Sequence, residues 1–443
     1  MIRNRVMLAT ALWASAMLAS PAARAGERQE ATRMAASVHA DQPRLIALLE
    51  RLVNQNSGTM NFAGVDKVAR MVRPEFEALG FTVTWKPMAA AGRAGHLMAE
   101  HRGKAGTKRL LLIGHLDTVF EPDQPFQTYV RQGDWAHGPG VADDKGGIVV
   151  ILGALRAMAA AGTLRDANIT VALTGDEESM GEPNDIARAD LVEAAKRSDV
   201  ALDFEGVVVV DGQDMGSVAR RSSNSWKLET HGHGGHSSGI FTTEAGDGAI
   251  FELTRILAAF RSELPEPDLT FNVGVVAGGA QAAFNADETN ASASGKTNII
   301  PAIAVANGDF RTISPAQTAR VRAKMQAIVA RHAPGTDARI SFGESYPAMA
   351  PTAGNRALLA RLNMVNATLG WPAMPELPPI KRGAGDISFV AHLVDGLAGL
   401  GPQSTGDHGP EERVNLPSIE RQGVRAALLL TSLSRDPSRL KRD

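Results

Sequence analysis

Hydrophobic positions in the first half of the chain repeat with two periods, which predict two kinds of element. Spacings of three to four residues predict helices at residues 31–54, 64–79, 146–161 and 184–197. Short apolar runs predict strands at residues 81–85, 109–113, 169–173 and 201–210. The run at 109–113 is nearly free of polar positions, which is typical of a strand buried on both faces. Strands that alternate with helices predict an α/β sheet with helices on both faces.

The pattern changes after about residue 217 and returns to helices towards the C-terminus. The changed region predicts strands at residues 226–230, 269–276, 303–311 and 338–342, and helices at 242–264 and 314–332. This β-α-β-β-α-β order predicts a ferredoxin-like module. Further helices are predicted at 357–369 and 417–434. We therefore predict that a module at residues 217–344 is inserted into a larger domain formed by residues 26–216 and 345–443.

The first 25 residues have the pattern of a cleavable signal peptide. Arg3 and Arg5 precede an apolar run at residues 6–19, and a small-residue cleavage motif ends at Ala25. The apolar run is shorter than a membrane-spanning helix, so an anchor is the less favoured interpretation. We expect cleavage after Ala25 and export to the periplasm or the medium, with no membrane contact afterwards.

Composition narrows the possible classes of protein. The chain has 443 residues, 44% hydrophobic and 21% charged, which is typical of a globular protein with two or more domains. Its formal net charge of −2 argues against nucleic-acid binding, which needs a basic face. The absence of cysteine excludes a disulfide framework and a thiol nucleophile.

Acidic and histidine side chains follow the ends of several predicted strands. They are His115, Asp117, Asp143, Asp144, Asp176, Glu177, Glu178, Asp203, Glu205 and, near the C-terminus, His408. Open α/β sheets place their functional sites at the carboxyl ends of strands. Zinc in proteins binds imidazole nitrogen and carboxylate oxygen, which are the strong ligands that this chain offers. The set therefore predicts a centre for two metal ions.

Each member of this set also has an ordinary interpretation. His115 could be a capped residue at a strand end, and acids at 143–144 could favour a helix N-terminus. Residues 176–178 could form a solvated charge run, and His408 could lie in a surface loop. Asp203 and Glu205 flank an apolar position, where burial of a carboxylate is costly without a cation. The metal centre is favoured because all of these groups belong to one sheet.

These motifs resemble those of a known family. His115-x-Asp117, Gly-Pro-Gly-Val-Ala-Asp143-Asp144-Lys145-Gly-Gly and Asp176-Glu177-Glu178 are similar to motifs of the di-zinc amidohydrolases, the family of glutamate carboxypeptidase, aminoacylase and acetylornithine deacetylase. The Ala-Asp-Asp-Lys-Gly-Gly form and the Phe-Glu after the next strand resemble the glutamate carboxypeptidase branch most. The resemblance covers essentially the whole mature chain. It implies a zinc-peptidase sheet with an inserted ferredoxin-like domain that serves as a lid and dimerisation surface.

The resemblance also implies two zinc ions per subunit and a ligand set. The implied ligands are His115, Asp143, Glu178, Glu205 and His408, with Asp143 bridging the two ions and joined to Asp144 by a cis peptide. Asp203 is an alternative to Glu205, because side chains two positions apart on a strand point the same way. Asp117 would hydrogen-bond His115 and set its tautomer.

Further roles are implied for the base and for substrate contacts. Glu177 would be the general base, and His236 would reach from the lid to the site of a partner subunit, which implies a homodimer. Asn298, Arg311, Gly383 and Gly385 would contact the substrate, although Ala384 stands where the family has glycine. Arg220-Arg221 departs from the more neutral segment of glutamate-cleaving relatives, and a solvated basic turn is the favoured interpretation. His231 and His233 are interpreted as part of a variable loop.

The resulting functional hypothesis is an exported zinc exopeptidase. It would hydrolyse the amide bond of an N-acyl amino acid or short peptide and release a C-terminal amino acid such as glutamate. An aminoacylase or dipeptidase of the same family with another amino-acid preference is the alternative. A catalytically silent binding protein is the hypothesis from another class, and the retention of Glu177 and of every implied ligand argues against it.

Overall fold

The computed structural model describes residues 21–343 and 346–437. Residues 1–20, which make up most of the predicted signal peptide, lie outside the described residues. Within the described ranges, no helix combines the length and the apolar character that a membrane span requires.

The first part of the larger domain contains five helices within the described residues. They are α1 (Pro21–Val53), α2 (Phe62–Glu77), α3 (Lys145–Ala161), α4 (Asn184–Ala187) and α5 (Ala189–Lys196). The single helix predicted at 184–197 is wrong. The chain turns at Arg188, whose φ of −110° and ψ of 7° separate α4 from α5. Helix α3 ends at Gly162, whose φ of 76° is a conformation that favours glycine.

A strand lies at each predicted position of this part, but one predicted strand is divided, and the strands at 95–101, 130–132, 135–137 and 213–214 were not predicted. They are β1 (Thr82–Pro87), β2 (Gly95–His101), β3 (Arg109–His115), β4 (Val130–Gln132), β5 (Trp135–His137), β6 (Asn168–Thr174), β7 (Val200–Asp203), β8 (Gly206–Val207), β9 (Val209–Val210) and β10 (Gln213–Asp214). The single strand predicted at 201–210 is wrong, because β7, β8 and β9 belong to three different sheets. The chain leaves the central sheet after Asp203, and this places Glu205 in a connecting segment.

The inserted module contains two helices and nine strands in the described chain. The helices are α6 (Ala249–Glu263) and α7 (Pro315–Val329), and the strands are β11 (Asn224–Gly232), β12 (Gly235–His236), β13 (Thr270–Phe271), β14 (Val275–Gly279), β15 (Gln281–Phe284), β16 (Ala291–Ser294), β17 (Ile299–Ile300), β18 (Ile303–Arg311) and β19 (Thr336–Phe342). Helix α6 begins later than residue 242 because Gly246 and Gly248 have φ of 68° and 78°, which are not helical.

The sheet of the inserted module has the ferredoxin-like arrangement that the sequence predicts. Strand β18 pairs with β11, with β13 and, further along, with β14, while β11 also pairs with β19, and every pair is antiparallel. A separate apolar core lies under this sheet and includes Trp226, Leu253, Phe260 and Phe310. The module therefore has its own core, as an inserted domain requires.

The last part of the chain returns to the larger domain. It contains α8 (Ala353–Leu369), β20 (Asp395–Leu397), β21 (Gly401–Thr405), β22 (Arg413–Asn415) and α9 (Leu416–Ser434). Strand β20 completes a six-stranded sheet of order β1-β2-β6-β3-β7-β20. The strands β6, β3, β7 and β20 are mutually parallel, so their carboxyl ends meet at one edge.

The alternation of side chains in β3 explains its continuous apolar run. Leu110 and Leu112 pack in the core between the sheet and helices α1, α3 and α9. Leu111 and Ile113 pack in a second core on the opposite face, which includes Leu191 of α5. Both faces of the strand are therefore buried. The fold class that the sequence predicts is confirmed, whereas the exact domain boundaries stay predictions.

Helix α8 offers a test of the larger core. Leu362 is fully buried, whereas Met364, two positions on, is 63% exposed. We expect Leu362→Ala to lower the free energy of unfolding by about 2–5 kcal/mol, because it leaves a cavity. Met364→Ala should change it by about 0.5 kcal/mol or less. Chemical denaturation followed by circular dichroism measures both, and equal losses in the two variants would contradict the packing.

Candidate metal centre

The parallel strands bring the candidate ligands to one edge of the central sheet. His115 is the last residue of β3 and lies opposite Thr174, the last residue of β6. Asp203 ends β7 opposite Ile113 of β3. The segment after β6 therefore carries Glu177 and Glu178 to the side of His115, as the strand order predicts.

Asp143 lies between two histidines. Its Oδ1 is 3.0 Å from His115 Nε2, and its Oδ2 is 3.1 Å from His408 Nε2. His408 Nε2 is also 3.2 Å from Glu178 Oε2. Asp143 and Asp144 are joined by a cis peptide, as expected from the resemblance. Each oxygen of one carboxylate thus faces a different imidazole, which is the arrangement that a bridging ligand requires.

The described residues contain two groups of potential metal ligands, and within each group the ligand atoms lie within 4.8 Å of one another. Asp143, Glu178 and His408 form one group, and His115, Glu177 and Glu178 form the other. The first group agrees with the ligand set that the resemblance implies for one ion. The second contains the proposed base Glu177, while Glu205 belongs to neither group.

The electrostatics of the cluster reflect several buried acids at short range. Burial and the neighbouring Glu205 carboxylate raise the pKa of Glu177 well above its usual value. Burial and Asp143 likewise raise the pKa of Glu178. Burial also opposes ionisation of Asp143, but hydrogen bonds to His115 and His408 lower its pKa overall. The cluster therefore has more negative charge than its own histidines balance, and this favours a bound cation.

Asp117 links His115 to the segment that carries the two glutamates. His115 Nδ1 is 3.1 Å from the carbonyl oxygen of Asp117 and 3.4 Å from its Oδ1. The carboxylate of Asp117 accepts hydrogen bonds from the backbone N–H groups of Glu177 and Glu178, at 3.0 and 3.1 Å. Thr59 donates a further hydrogen bond to it at 2.7 Å. Donation from Nδ1 leaves Nε2 of His115 available to a metal.

Glu412 is a buried residue of this region that the sequence did not indicate. Its carboxylate accepts hydrogen bonds from the backbone N–H groups of Gly140, Ala142 and Asp143, at 3.2, 3.0 and 3.2 Å. It therefore fixes the turn on which Asp143 stands. The residue follows another glutamate in an unremarkable loop sequence, so no local signal distinguishes it.

Asp176 belongs to neither ligand group and forms a buried ion pair. Arg188 Nη1 is 2.7 Å from Asp176 Oδ1, and Arg188 Nε is 2.8 Å from Asp386 Oδ1. Tyr346 donates a hydrogen bond from its hydroxyl to the carbonyl oxygen of Glu177. These contacts hold the segment that carries the proposed base. The pairing had one signal in the sequence, which is the charged Arg188 inside the helix predicted at 184–197.

The expectation of a solvated turn at Arg220-Arg221 is wrong for Arg220. Its side chain is only 4% exposed, and Nη1 lies 3.1 Å from Asp203 Oδ2 and 2.6 Å from Glu205 Oε1. Arg382 Nη2 is 3.3 Å from the other oxygen of Glu205. Asp203 and Glu205, the two alternative metal ligands, thus both pair with the guanidinium of Arg220. The role of Glu205 as a metal ligand stays a prediction.

The predicted substrate residues fall into two groups. His236 and Asn298 lie together on the inserted module, where β12 pairs with β17 and Ser237 N–H donates to the carbonyl oxygen of Asn298 at 3.0 Å. Both side chains are exposed, and the contacts described for them are within the module. The second group consists of Arg311, Gly383 and Gly385.

Arg311 lies beside the loop that contains Gly383 and Gly385. A Cβ atom at Gly383 would lie 3.9 Å from Arg311 Nη1. A Cβ atom at Gly385 would lie 2.2 Å from Arg220 Nη1 and 2.6 Å from Glu205 Oε1, so a side chain has no room there. A guanidinium therefore lies next to a glycine loop, and both kinds of group can bind a carboxylate.

The fold and the cluster of carboxylates and imidazoles define a metal-dependent hydrolase, and comparisons with known proteins identify the family. Residues 111–432 match Peptidase family M20/M25/M40, and the chain belongs to this family. The family resemblance inferred from the motifs is thereby confirmed. Members of the family are metal-dependent peptidases.

Relatives of similar length support the assignment. The chain is 28% identical to carboxypeptidase G2 of Pseudomonas sp. (strain RS-16) over 412 residues, which cover 89% of this chain and 90% of that protein. It is 25% identical to succinyl-diaminopimelate desuccinylase of Variovorax paradoxus (strain S110) over 398 residues, which cover 85% and 95%.

Solved structures share the fold at low sequence identity. Aminopeptidase PepT from Bacillus cereus ATCC 10987 has a TM-score of 0.69 and 18% identity, covering 89% of this chain and 99% of that one. The YXEP protein of Bacillus subtilis, described as a dinuclear metal binding peptidase from the M20 family, has a TM-score of 0.60 and 15% identity, covering 89% and 99%.

Glu412 provides a test of how the centre is held. We expect Glu412→Ala to weaken zinc binding by about 10–100-fold, because the turn that carries Asp143 loses the acceptor of its N–H groups. Titration of metal-free protein with zinc against a chromogenic chelator measures this. Glu411→Ala is the matched control, because Glu411 is the exposed neighbour. Unchanged affinity in Glu412→Ala would show that the turn does not depend on it.

Proposed function

We propose that this protein is a two-zinc exopeptidase that hydrolyses the amide bond of N-acyl amino acids or short peptides and releases the C-terminal amino acid. The observation that carries the proposal is Asp143, whose two oxygens face His115 and His408 beside the buried acids Glu177 and Glu178. Membership in a family of metal-dependent peptidases supports it.

Two divalent cations are assigned to the centre in this proposal. Asp143, Glu178 and His408 would hold one ion, and His115, Asp143 and Glu205 would hold the other. Several buried carboxylates near two imidazoles are costly without cations, and imidazole with carboxylate suits zinc. When bound, the metals polarise the scissile carbonyl group and make water acidic enough to attack at neutral pH.

Glu177 is the residue proposed to move the proton. Its backbone is fixed from two sides, since its N–H donates to Asp117 and its carbonyl oxygen accepts from Tyr346. The raised pKa of its side chain, due to burial and Glu205, suits a group that first accepts a proton from the attacking water and then donates it to the leaving amine. His115 and Asp117 keep the surrounding groups oriented while this occurs.

Substrate selection is proposed to depend on a carboxylate. Arg311 beside the loop at Gly383 and Gly385 supplies a guanidinium and backbone N–H groups for the carboxylate of the released amino acid. Glutamate is the proposed product, by analogy with the carboxypeptidase branch. An aminoacylase or dipeptidase preference is the second candidate. Relatives named as succinyl-diaminopimelate desuccinylases add N-succinyl amino acids to the substrates to be tested.

A homodimer through the inserted domain and export of the mature chain complete the proposal. His236 and Asn298 are exposed on this domain and make no described contact with the centre of their own chain. Phe241, Phe251 and Val276 of the same domain are 63%, 52% and 53% exposed, which is typical of a protein interface. Export is proposed on the pattern of residues 1–25 alone.

The mechanism makes a prediction about Glu177. We expect Glu177→Gln to lower kcat by about 10²–10⁴-fold, because the proton acceptor is lost. Its zinc content should stay close to that of the wild type. Hydrolysis of a panel of N-acyl and N-succinyl amino acids, with the released amino acid identified chromatographically, measures activity and substrate preference together.

The controls separate the base from the metals. Glu193→Gln, an exposed exchange of the same type, should leave kcat unchanged. A chelator should abolish activity, and added zinc should restore it in the wild type but not in Glu177→Gln. Full activity of Glu177→Gln, or activity that survives complete metal removal, would refute the proposed mechanism.

The role proposed for His236 predicts complementation between subunits. A heterodimer of His236→Ala and Glu177→Gln chains contains one site with an intact base and an intact partner histidine. We expect purified heterodimers to have about half of the wild-type activity, while each homodimeric variant is nearly inactive, because the two-fold symmetry makes two equivalent sites. Two differently tagged chains allow the purification. Heterodimers as inactive as the two homodimers would show that His236 acts within its own chain.

A further inference from the structure

Arg220 is buried at the point where the metal centre meets the glycine loop. Its Nε donates to the carbonyl oxygen of Gly383 at 3.0 Å, and its Nη2 donates to that of Ala384. Its Nη1 lies within ion-pair distance of both Asp203 and Glu205. All three nitrogens of the guanidinium are therefore engaged, and two of the partners are buried carboxylates.

Arg382 completes the enclosure of Glu205. Arg382 Nη1 donates to the carbonyl oxygen of Gly206 at 2.8 Å, and Nη2 is 3.3 Å from Glu205 Oε2. Each oxygen of Glu205 thus faces a guanidinium. Arg220 and Arg382 thus supply two positive charges next to the carboxyl groups of Asp203 and Glu205.

The other candidate ligands are in a different electrostatic environment. In the described part of the chain, the ion pairs of Asp143 and Glu178 are with His115 and His408 only. Neither carboxylate contacts a lysine or arginine there. Their negative charge is therefore available to a cation, whereas that of Glu205 is already compensated.

We propose that Arg220 is a positioning residue that makes the two metal sites unequal, so that the site served by Glu205 binds its ion more weakly and exchanges it more readily. This inference rests on the proposed two-metal function. A guanidinium within hydrogen-bond distance of a ligand carboxylate competes with a cation for the carboxylate oxygens and repels an incoming divalent cation. The site of Asp143, Glu178 and His408 has no such competitor among the described residues.

The same contacts connect the weaker site to substrate binding. Arg220 fixes the carbonyl groups of Gly383 and Ala384, next to the proposed carboxylate site. Loss of Arg220 should therefore raise KM for substrates with a free carboxylate, in addition to changing the metal affinity. A purely structural role would not change the affinity of one metal site selectively.

The experiment is a titration of metal-free protein with zinc in competition with a chromogenic chelator of known affinity. For the wild type we expect two binding constants that differ by about tenfold or more, because one site lies next to a positive charge. In Arg220→Gln the weaker site should tighten by about tenfold as this repulsion is removed, while the stronger site stays within about twofold. Arg220→Lys keeps the positive charge but not the planar guanidinium. Its zinc affinity at the weaker site should therefore lie between that of the wild type and that of Arg220→Gln.

Two further variants keep the result interpretable. The double variant Arg220→Gln/Asp203→Asn removes one positive and one negative charge together, so it avoids an unpaired buried acid if the single variant does not fold. It should also tighten the weaker site, because Arg220 contacts Glu205 directly. Arg221→Gln is the matched control, since Arg221 donates to Thr270 and not to an acid, and it should leave both constants unchanged.

The possible outcomes separate the inference from the proposed function. Failure of the wild type to bind two zinc ions would refute the two-metal function itself. Two ions bound with equal affinity, or weaker binding in both the double variant and Arg220→Lys, would overturn the role of Arg220 and leave the function in place. Selective tightening of one site in the variants would support the inference.

Discussion

The burial of many carboxylates at one edge of the central sheet is the constraint on which the rest of the structure depends. Parallel strands place their carboxyl ends side by side, and here those ends carry His115 and Asp203 and lead directly into Glu177. Carboxylates in such a place are unfavourable unless hydrogen bonds or cations compensate them. Much of the buried polar structure around the sheet edge has this function.

The buried acids at this edge have two kinds of partner, arginine or histidine, and they can be grouped accordingly. Asp176 and Asp386 are paired with the buried Arg188, and Asp203 is paired with Arg220, so these acids are satisfied by the protein. Asp143 and Glu178 have only histidine partners in the described residues. The distribution of arginines therefore distinguishes acids that the protein itself pairs from acids that are proposed to bind a metal, and Glu205 has features of both groups.

The sequence predicted the motifs and the buried strands that carry them because both depend on short-range patterns, whereas strand β2 of the same sheet was missed. The buried strand β3, its terminal histidine and the acidic turn at 143–144 all follow from residues close together in the chain. Glu412 and Arg220 could not be predicted in this way. Glu412 meets Asp143 at a separation of 269 residues, and Arg220 meets Ala384 at a separation of 164. Only the fold brings such distant partners together, and periodic patterns in the sequence give no information about them.

The attachment of the inserted domain accounts for the contacts of Arg220 and for a similar long-range contact of Tyr346. Its two connecting segments run side by side, since Arg220 pairs with Met349 and Ser223 pairs with Tyr346. Arg220 of one segment forms an ion pair with Glu205, and Tyr346 of the other segment donates a hydrogen bond to the carbonyl oxygen of Glu177. Each connection to the inserted domain thus contributes one side chain that contacts a residue of the candidate metal centre. A displacement of the inserted domain would act on both glutamates through these two contacts, so the position of this domain and the geometry of the candidate centre are physically linked.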